Sequence, residues 1–262
     1  MSKFKQKIIE LFKSRVKGRK PDLSQYTIKH DGKAGHWLEK QMGLKQNASN
    51  TPDIYGYEMK NQTSSGKITF GDWSADEYIF KHGQPNKIHN TNRDYNISRD
   101  DFLRIFGRPN PKMSNRLSWS GSPCPSYINE RNSYGQILEI DENQDIIISY
   151  SYSKDNREYK RQIVPIEMQK EGLILARWYR DSIKKKLEDK FNQQGWFTCK
   201  KNREGIYESI HFGKPMNFES WIGLFKNREI LFDSGMHYGN KRNYSQWRAM
   251  QGVWDKLIVD SH

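Results

Sequence analysis

The chain has 262 residues, 44 Lys and Arg against 31 Asp and Glu, and a formal charge of +13, with a mean hydropathy of -0.99. That length buries a sizeable core without disulfide staples, and so polar a chain offers no stretch apolar enough to span a bilayer. A positive field of this size suits a polyanion, and a nucleic acid fits a chain without membrane segments better than an anionic membrane surface does.

Residues 1–20, MSKFKQKIIELFKSRVKGRK, set Phe4, Ile8, Ile9, Leu11 and Phe12 at helical spacing among charges. This predicts a first helix and not a secretory signal, which needs an unbroken apolar run. Cys124 and Cys199 are the two cysteines, without CxxC or Cys/His spacing suited to zinc, so the cytoplasm is the expected compartment. A Gly-containing turn over 31–35 leads into HWLEKQMGL, where Trp37, Leu38, Met42 and Leu44 recur at roughly helical spacing and Gly43 marks the stop. Glu39 is thereby placed on a short helix. After the polar loop KQNASNTPD, the segments IYGYEMK and KITFGDW read as adjacent strands of a β-hairpin around a turn at 63–66.

Residues 83–133 are rich in Asn, Pro, Ser, Arg and Lys and predict long loops around one short helix at DDFLRIF. QILEI and DIIISYSY read as strands flanking the turn DENQ, and a helical stretch is expected from about Gly172 through LILARWYRDSIKKKLEDKF. GWFTCKK, IYESIHFG and EILFDSG read as further strands with basic loops between them, before a last apolar segment around WDKLIVD. No repeat or low-complexity tract appears. The expectation is an α+β fold with an antiparallel component and two lobes around a groove. Aromatic residues make up 13% of the chain and interleave with basic ones, as in RWYR at 177–180, so some can stack on bases.

The informative stretch is TPDIYGYEMK, in which Asp53 precedes Glu58 and Lys60. Strand alternation puts Glu58 and Lys60 on one face. Two carboxylates at a strand end, Asp53 and Glu58, supply the oxygen ligands that magnesium prefers, with water and a substrate phosphate completing its shell. Lys60 would then sit against the attacking water or a scissile phosphate oxygen, the arrangement of metal-assisted phosphodiester hydrolysis. Taken singly, an E-x-K triplet also fits an exposed charged strand, and Glu39 also fits the wet side of an amphipathic helix. The combination is what points to chemistry.

GKAGHWLEKQMGL, then PD, then GYEMK, resembles the PD-(D/E)xK nuclease core in its MutH-like form, and is similar to the MvaI/BcnI family of type II restriction endonucleases. The resemblance implies a restriction endonuclease-like core, a mixed β-sheet flanked by helices, with two lobes around a DNA-binding cleft. The catalytic lobe is expected to centre on 1–110 and the recognition lobe to lie mainly in 111–262. It gives Glu39, Asp53, Glu58 and Lys60 the four active-site places, Mg2+ as cofactor, and double-stranded DNA as substrate at a short, GC-rich site. It further implies a monomer that nicks the two strands in turn, beside a protective DNA methyltransferase expected as a genetic partner and not as a bound subunit. SWSGSPCPSYINERNSYGQILEIDENQDIIISY and the run from LEDKF to QWR extend the likeness over almost the whole chain.

Family members place a strand such as LTLFxK after the catalytic strand, with a basic or His side chain near the metal, whereas this chain reads ITFGDWS with Asp72 in that neighbourhood. Lys67 is a turn lysine that can approach a phosphate. Asp233, His237, Asn240, Lys241, Arg242 and Arg248 form the candidate DNA-reading set, since Arg and Lys suit guanine and Asp accepts from cytosine; each equally fits a phosphate contact. Residues 118–131 are placed at the opposite groove. Two other readings stay open on the residues: a MutH-like strand-selective nicking enzyme, and a noncatalytic DNA-binding module.

Overall fold

The structure, a computed structural model, describes residues 2–24, 32–44, 50–63, 65–80, 95 and 97–262. Parts of the turns expected at 31–35 and 63–66, of the loop before Asp53 and of the stretch 83–133 lie outside the described residues. In chain order the elements begin α1 (Lys3–Arg15), α2 (Lys33–Gln41), β1 (Tyr57–Lys60), β2 (Lys67–Asp72), β3 (Glu77–Tyr78), α3 (Arg99–Phe106), β4 (Arg108–Asn110) and β5 (Arg116–Trp119). They continue with β6 (Tyr134–Ile140), β7 (Ile146–Asp155), α4 (Lys160–Ile163), β8 (Leu173–Trp178), α5 (Arg180–Phe191), β9 (Gly195–Lys201) and β10 (Tyr207–Gly213). The last are α6 (Phe218–Lys226), β11 (Ile230–Ser234), β12 (Met236–His237), β13 (Ser245–Met250), α7 (Gln251–Lys256) and β14 (Ile258–Ser261). No described helix is long and apolar enough to cross a membrane.

The chain folds into two compact units, one of Met1–Phe70, Lys184–Gly223 and Ala249–His262, the other of Gly71–Ile183 and Leu224–Arg248. In the first, α1 starts where the Ser2 hydroxyl accepts from the Lys5 amide at 3.2 Å, capping one of the free N–H groups of the first turn. Its Ile8, Ile9 and Phe12 join Trp37 and Leu38 of α2 in one core with Tyr57, Met59, Phe197 and Phe212. Trp37 stacks on Tyr207 at 5.7 Å. The sheet beneath runs β1-β9-β10-β14. β1 is parallel to β9, with Glu58 opposite Trp196 and Lys60 opposite Thr198, while β10 is antiparallel to both β9 and β14. This is the mixed sheet with helices against it.

All four residues of β1 are buried. Tyr57 and Met59 belong to the helix-facing core, so alternation turns Glu58 and Lys60 to the other face. There they meet a second apolar layer in which Phe70 stacks on Trp254 at 4.4 Å and Trp254 meets Trp196 edge-on at 4.9 Å. The close approach needs a glycine: a Cβ on Gly213 would lie 2.1 Å from the Trp196 indole.

Two expectations are corrected here. IYGYEMK and KITFGDW are both strands but not a hairpin, because β1 takes its ladder from β9 and β2 belongs to another sheet. The link between them is the Lys60 side chain, which donates to the Thr69 carbonyl at 2.8 Å. The helix expected from Gly172 begins only at Arg180; Leu173–Trp178 is β8, antiparallel to β7 with Ile146 opposite Trp178 and Ile148 opposite Ala176. The open edge of β7 overrides the helix-compatible Leu and Ala of that segment.

The second unit holds the antiparallel sheet β3-β8-β7-β6 and the three strands β12-β5-β4. Its core is aromatic: Trp178 meets Phe232 at 5.0 Å and Trp247 at 5.3 Å, and Phe102 meets Trp119 at 5.1 Å. α3 carries a capping box in which Ser98 and Asp101 satisfy each other's backbone amides.

Candidate active site

Gly56, at a φ of 81° that favours glycine, ends the turn that delivers the chain into β1. Asp53 lies before this turn and folds back, its Oδ2 accepting from the Met59 amide at 2.8 Å. Asp53 keeps solvent access as a residue, yet packing around its carboxyl, and then the nearby charge of Glu58, raise its pKa to about 6. Glu58 is 3% exposed. Its Oε1 takes two ammonium groups, Lys60 Nζ at 2.9 Å and Lys190 Nζ at 3.1 Å. Its Oε2 is buried and without a hydrogen-bond partner among the described residues.

Lys60 is fixed on every side. Besides Glu58, its three donors reach the Thr69 carbonyl at 2.8 Å and, less closely, the Phe70 carbonyl at 3.4 Å. The ammonium lies 4.9 Å from the Phe191 ring centroid and 6.0 Å from that of Trp254, cation–π contacts strengthened by loss of water. Burial lowers its pKa, an effect that the charge of Glu58 opposes. The long bond to Phe70 is the one that a phosphate oxygen would replace at least expense.

Glu39 is on α2 as expected, with its Oε2 3.4 Å from His36 Nδ1. Among the described residues it shares no hydrogen bond or ion pair with Asp53, Glu58 or Lys60. The structure thus joins Asp53, Glu58 and Lys60 and leaves Glu39 beside His36. The sequence does not single out Lys190, because KKKLEDK reads as the wet face of a helix and nothing in its spacing marks one lysine out.

The donor set fits magnesium. Among the described residues no three His, Cys, Asp or Glu side chains gather as a closed cage, whereas magnesium needs only one or two carboxylates and retains water and phosphate ligands. The buried, unpartnered Glu58 Oε2 beside the charge-crowded Asp53 offers carboxylate oxygens of the kind such an ion takes. As a ligand Asp53 would have to be ionised, so Mn2+ affinity is expected to fall as pH drops below about 6; titrations at pH 5, 6 and 7.5 check it, and an unchanged affinity would contradict a ligand role for Asp53. In the metal-free protein the same raised pKa makes the folded state hold its proton more tightly than the unfolded chain, so this group's contribution to stability declines as pH rises from about 4 to about 6.

The candidate DNA-reading residues all fall in the second unit. Asp233 on β11 accepts from Arg248 Nη1 at 2.9 Å. The His237 ring donates from Nδ1 to the Tyr238 carbonyl at 2.7 Å, and its Nε2 faces Asn240 Nδ2 at 2.9 Å. Arg242 reaches Asp72 at 2.8 Å and lies over the Tyr244 ring at 4.4 Å, while Lys241 is exposed. Asp72 also accepts from the Ser245 amide at 2.8 Å, so both of its oxygens hold the segment 242–245. Ser118 is opposite His237 in the β5–β12 ladder, which brings the start of the 118–131 segment beside the 237–242 segment.

The model of the LlaMI restriction endonuclease family matches residues 16–262. The chain belongs to the LlaMI restriction endonuclease family. It is 48% identical over 272 residues, covering the whole of both chains, to the type II restriction enzyme ScrFI of Lactococcus lactis subsp. cremoris. Its fold is that of the restriction endonuclease MvaI in complex with its cognate DNA substrate, with a TM-score of 0.60 at 15% identity over 100% of this chain and 98% of the other. The function class is therefore type II restriction endonuclease, and the MvaI-like, PD-(D/E)xK type of fold expected from the sequence is the one found.

Proposed function

We propose that this LlaMI-family chain hydrolyses phosphodiester bonds of double-stranded DNA at a short, GC-rich site, with Mg2+, as a cytoplasmic monomer that nicks one strand and then the other. The observation that carries the chemistry is the buried Glu58, with lysine ammoniums on one oxygen and the other oxygen unpartnered beside Asp53. Asp53 and Glu58 would hold the metal, which supplies Lewis-acid stabilisation of the phosphate and acidifies a bound water. Lys60 gives up its long bond to Phe70 and donates to a non-bridging phosphate oxygen, countering the charge that grows there during attack. The Phe191 and Trp254 rings keep water from that ammonium, which strengthens its pull. Glu39 is the fourth residue of the proposal, and Glu39→Gln is expected to slow cleavage less than changes at Glu58 or Lys60, since it touches neither.

The division of labour belongs to the same proposal: the unit carrying Asp53, Glu58 and Lys60 cuts, and the unit carrying Asp233, His237, Asn240, Lys241, Arg242 and Arg248 reads bases. Full-length similarity to a type II restriction enzyme supports double-strand cutting over strand-selective nicking, and a methyltransferase protecting the same site is the expected genetic partner. The test is a supercoiled-plasmid time course in Mg2+ at rising salt. A nicked intermediate that accumulates before linear product supports one active site working twice; concerted cutting by an obligate dimer contradicts it. A protein of this charge that contacts about six to ten phosphates loses about 10³–10⁵ in affinity from 50 to 200 mM salt, and a flat response would contradict the DNA contacts.

A further inference from the structure

Lys190 differs from Lys184 and Lys185 of the same helix, α5. Lys184 and Lys185 pair one turn along their own helix, with Glu188 at 2.8 Å and Asp189 at 2.6 Å. Lys190 instead reaches out of the helix to Glu58 on β1, at 3.1 Å, with its side chain 18% exposed. Glu58 already has a cation in Lys60 on the same oxygen. A second ammonium adds little to holding that carboxylate in place, so its main consequence is charge. Asp53 and Glu58 contribute two negative charges, Lys60 and Lys190 two positive, and the formal sum is zero.

We propose that Lys190 is a residue of the active site, a built-in counter-cation that keeps the Asp53–Glu58 pair neutral in the DNA-free enzyme, so that a divalent metal is retained only together with a DNA phosphate. A divalent ion entering the neutral site would leave two uncompensated positive charges beside buried groups, which is strongly opposed. Phosphates of bound DNA restore the balance, and metal and DNA then bind cooperatively, each raising the affinity of the other. Replacing Lys190 by a neutral side chain leaves a site with one net negative charge, ready for metal before DNA arrives. Lys190 is more exposed than Lys60, 18% against 9% for the side chains, so it can be replaced with less disturbance of the buried layer.

This inference rests on the reading of Asp53 and Glu58 as the metal-holding pair, and the experiment separates the two. Mn2+ is titrated into DNA-free protein and the free ion followed by electron paramagnetic resonance, for the wild type, Lys190→Gln, Lys190→Arg and the double variant Lys190→Gln/Glu58→Gln. Lys190→Gln is expected to bind Mn2+ about tenfold more tightly than wild type, the effect of one unit charge at close range. Lys190→Arg, which keeps the charge, stays as weak as wild type, and the double variant loses the gain. Lys190→Met carries the same expectation as Lys190→Gln should the latter not fold. Lys190→Gln binding no tighter than wild type, or Lys190→Arg tightening equally, would overturn the role of Lys190 while leaving the metal pair standing. A double variant that keeps the tight binding would place the ion away from Glu58 and overturn the metal-site reading, and the proposal with it.

Discussion

Lys60→Met is expected to lower the single-turnover cleavage rate about a thousandfold or more, the scale on which one donor to a developing oxyanion is felt, while cognate-DNA affinity measured in Ca2+ changes only a few-fold. The same change takes one of two ammoniums from the buried Glu58 and is expected to lower the melting temperature, so rates are compared where both proteins are folded. The buried ammonium is held by Glu58 and two carbonyls; an unbranched apolar side chain of similar length fills the space beside Phe191 and Trp254, and Lys190 stays on Glu58, so the loss is that of a partly stranded carboxylate and not of a cavity. Loss of the cleavage rate in a variant that is folded and still binds cognate DNA is the signature of a residue kept for chemistry. A Lys60→Met protein that still cuts at the wild-type rate would show that the ammonium does no more than plug the layer.

The largest effect on stability is expected away from this site, at Asp155. Arg157 lies buried in the second unit, its guanidinium on both Asp155 oxygens at 2.6–3.1 Å and on the Ile105 carbonyl at 2.8 Å. The Tyr150 hydroxyl donates to Asp155 Oδ2 at 2.9 Å, and burial, then the adjacent carboxylate, push the phenol pKa well up. Asp155→Ala therefore strands a buried cation and a buried hydroxyl and is expected to lose about 3–5 kcal/mol in urea unfolding. The double variant Asp155→Leu/Arg157→Met removes both charges and should recover most of that loss. A single variant within about 0.5 kcal/mol of wild type, the range of an ordinary surface change, would mean that the pair is not buried as described.

These two sites differ in how far the sequence discloses them. Asp53, Glu58 and Lys60 lie within eight positions, and the period of a strand is enough to place Glu58 and Lys60 on one face. Glu39 is on its helix, but the period of a helix says nothing about distance to a strand beyond a long loop, and the structure leaves it with His36. Lys190 is remote from Glu58 in sequence and is chosen from among its neighbours only by tertiary packing. The same holds for the fold. α1 and the β6–β7 pair follow from local periodicity and a short turn, whereas the parallel partnership of β1 with β9 and the strand character of 173–178 depend on which sheet edge is open once the chain has collapsed. The candidate reading residues are recognisable by side-chain chemistry alone; what the sequence does not show is that Asp233 meets Arg248, and Arg242 meets Asp72, so the proposed base reading would require these pairs to open or reorient.

The most direct test of the central claim is to incubate purified protein with unmethylated phage DNA, in Mg2+ or in chelator, beside Lys60→Met and Glu58→Gln, and to sequence the fragment ends. The account predicts discrete fragments sharing one short GC-rich sequence at their ends, formed only with Mg2+ and by neither variant. Cleavage that persists in chelator, or in either variant, would contradict the assignment of chemistry to the Asp53–Glu58–Lys60 site.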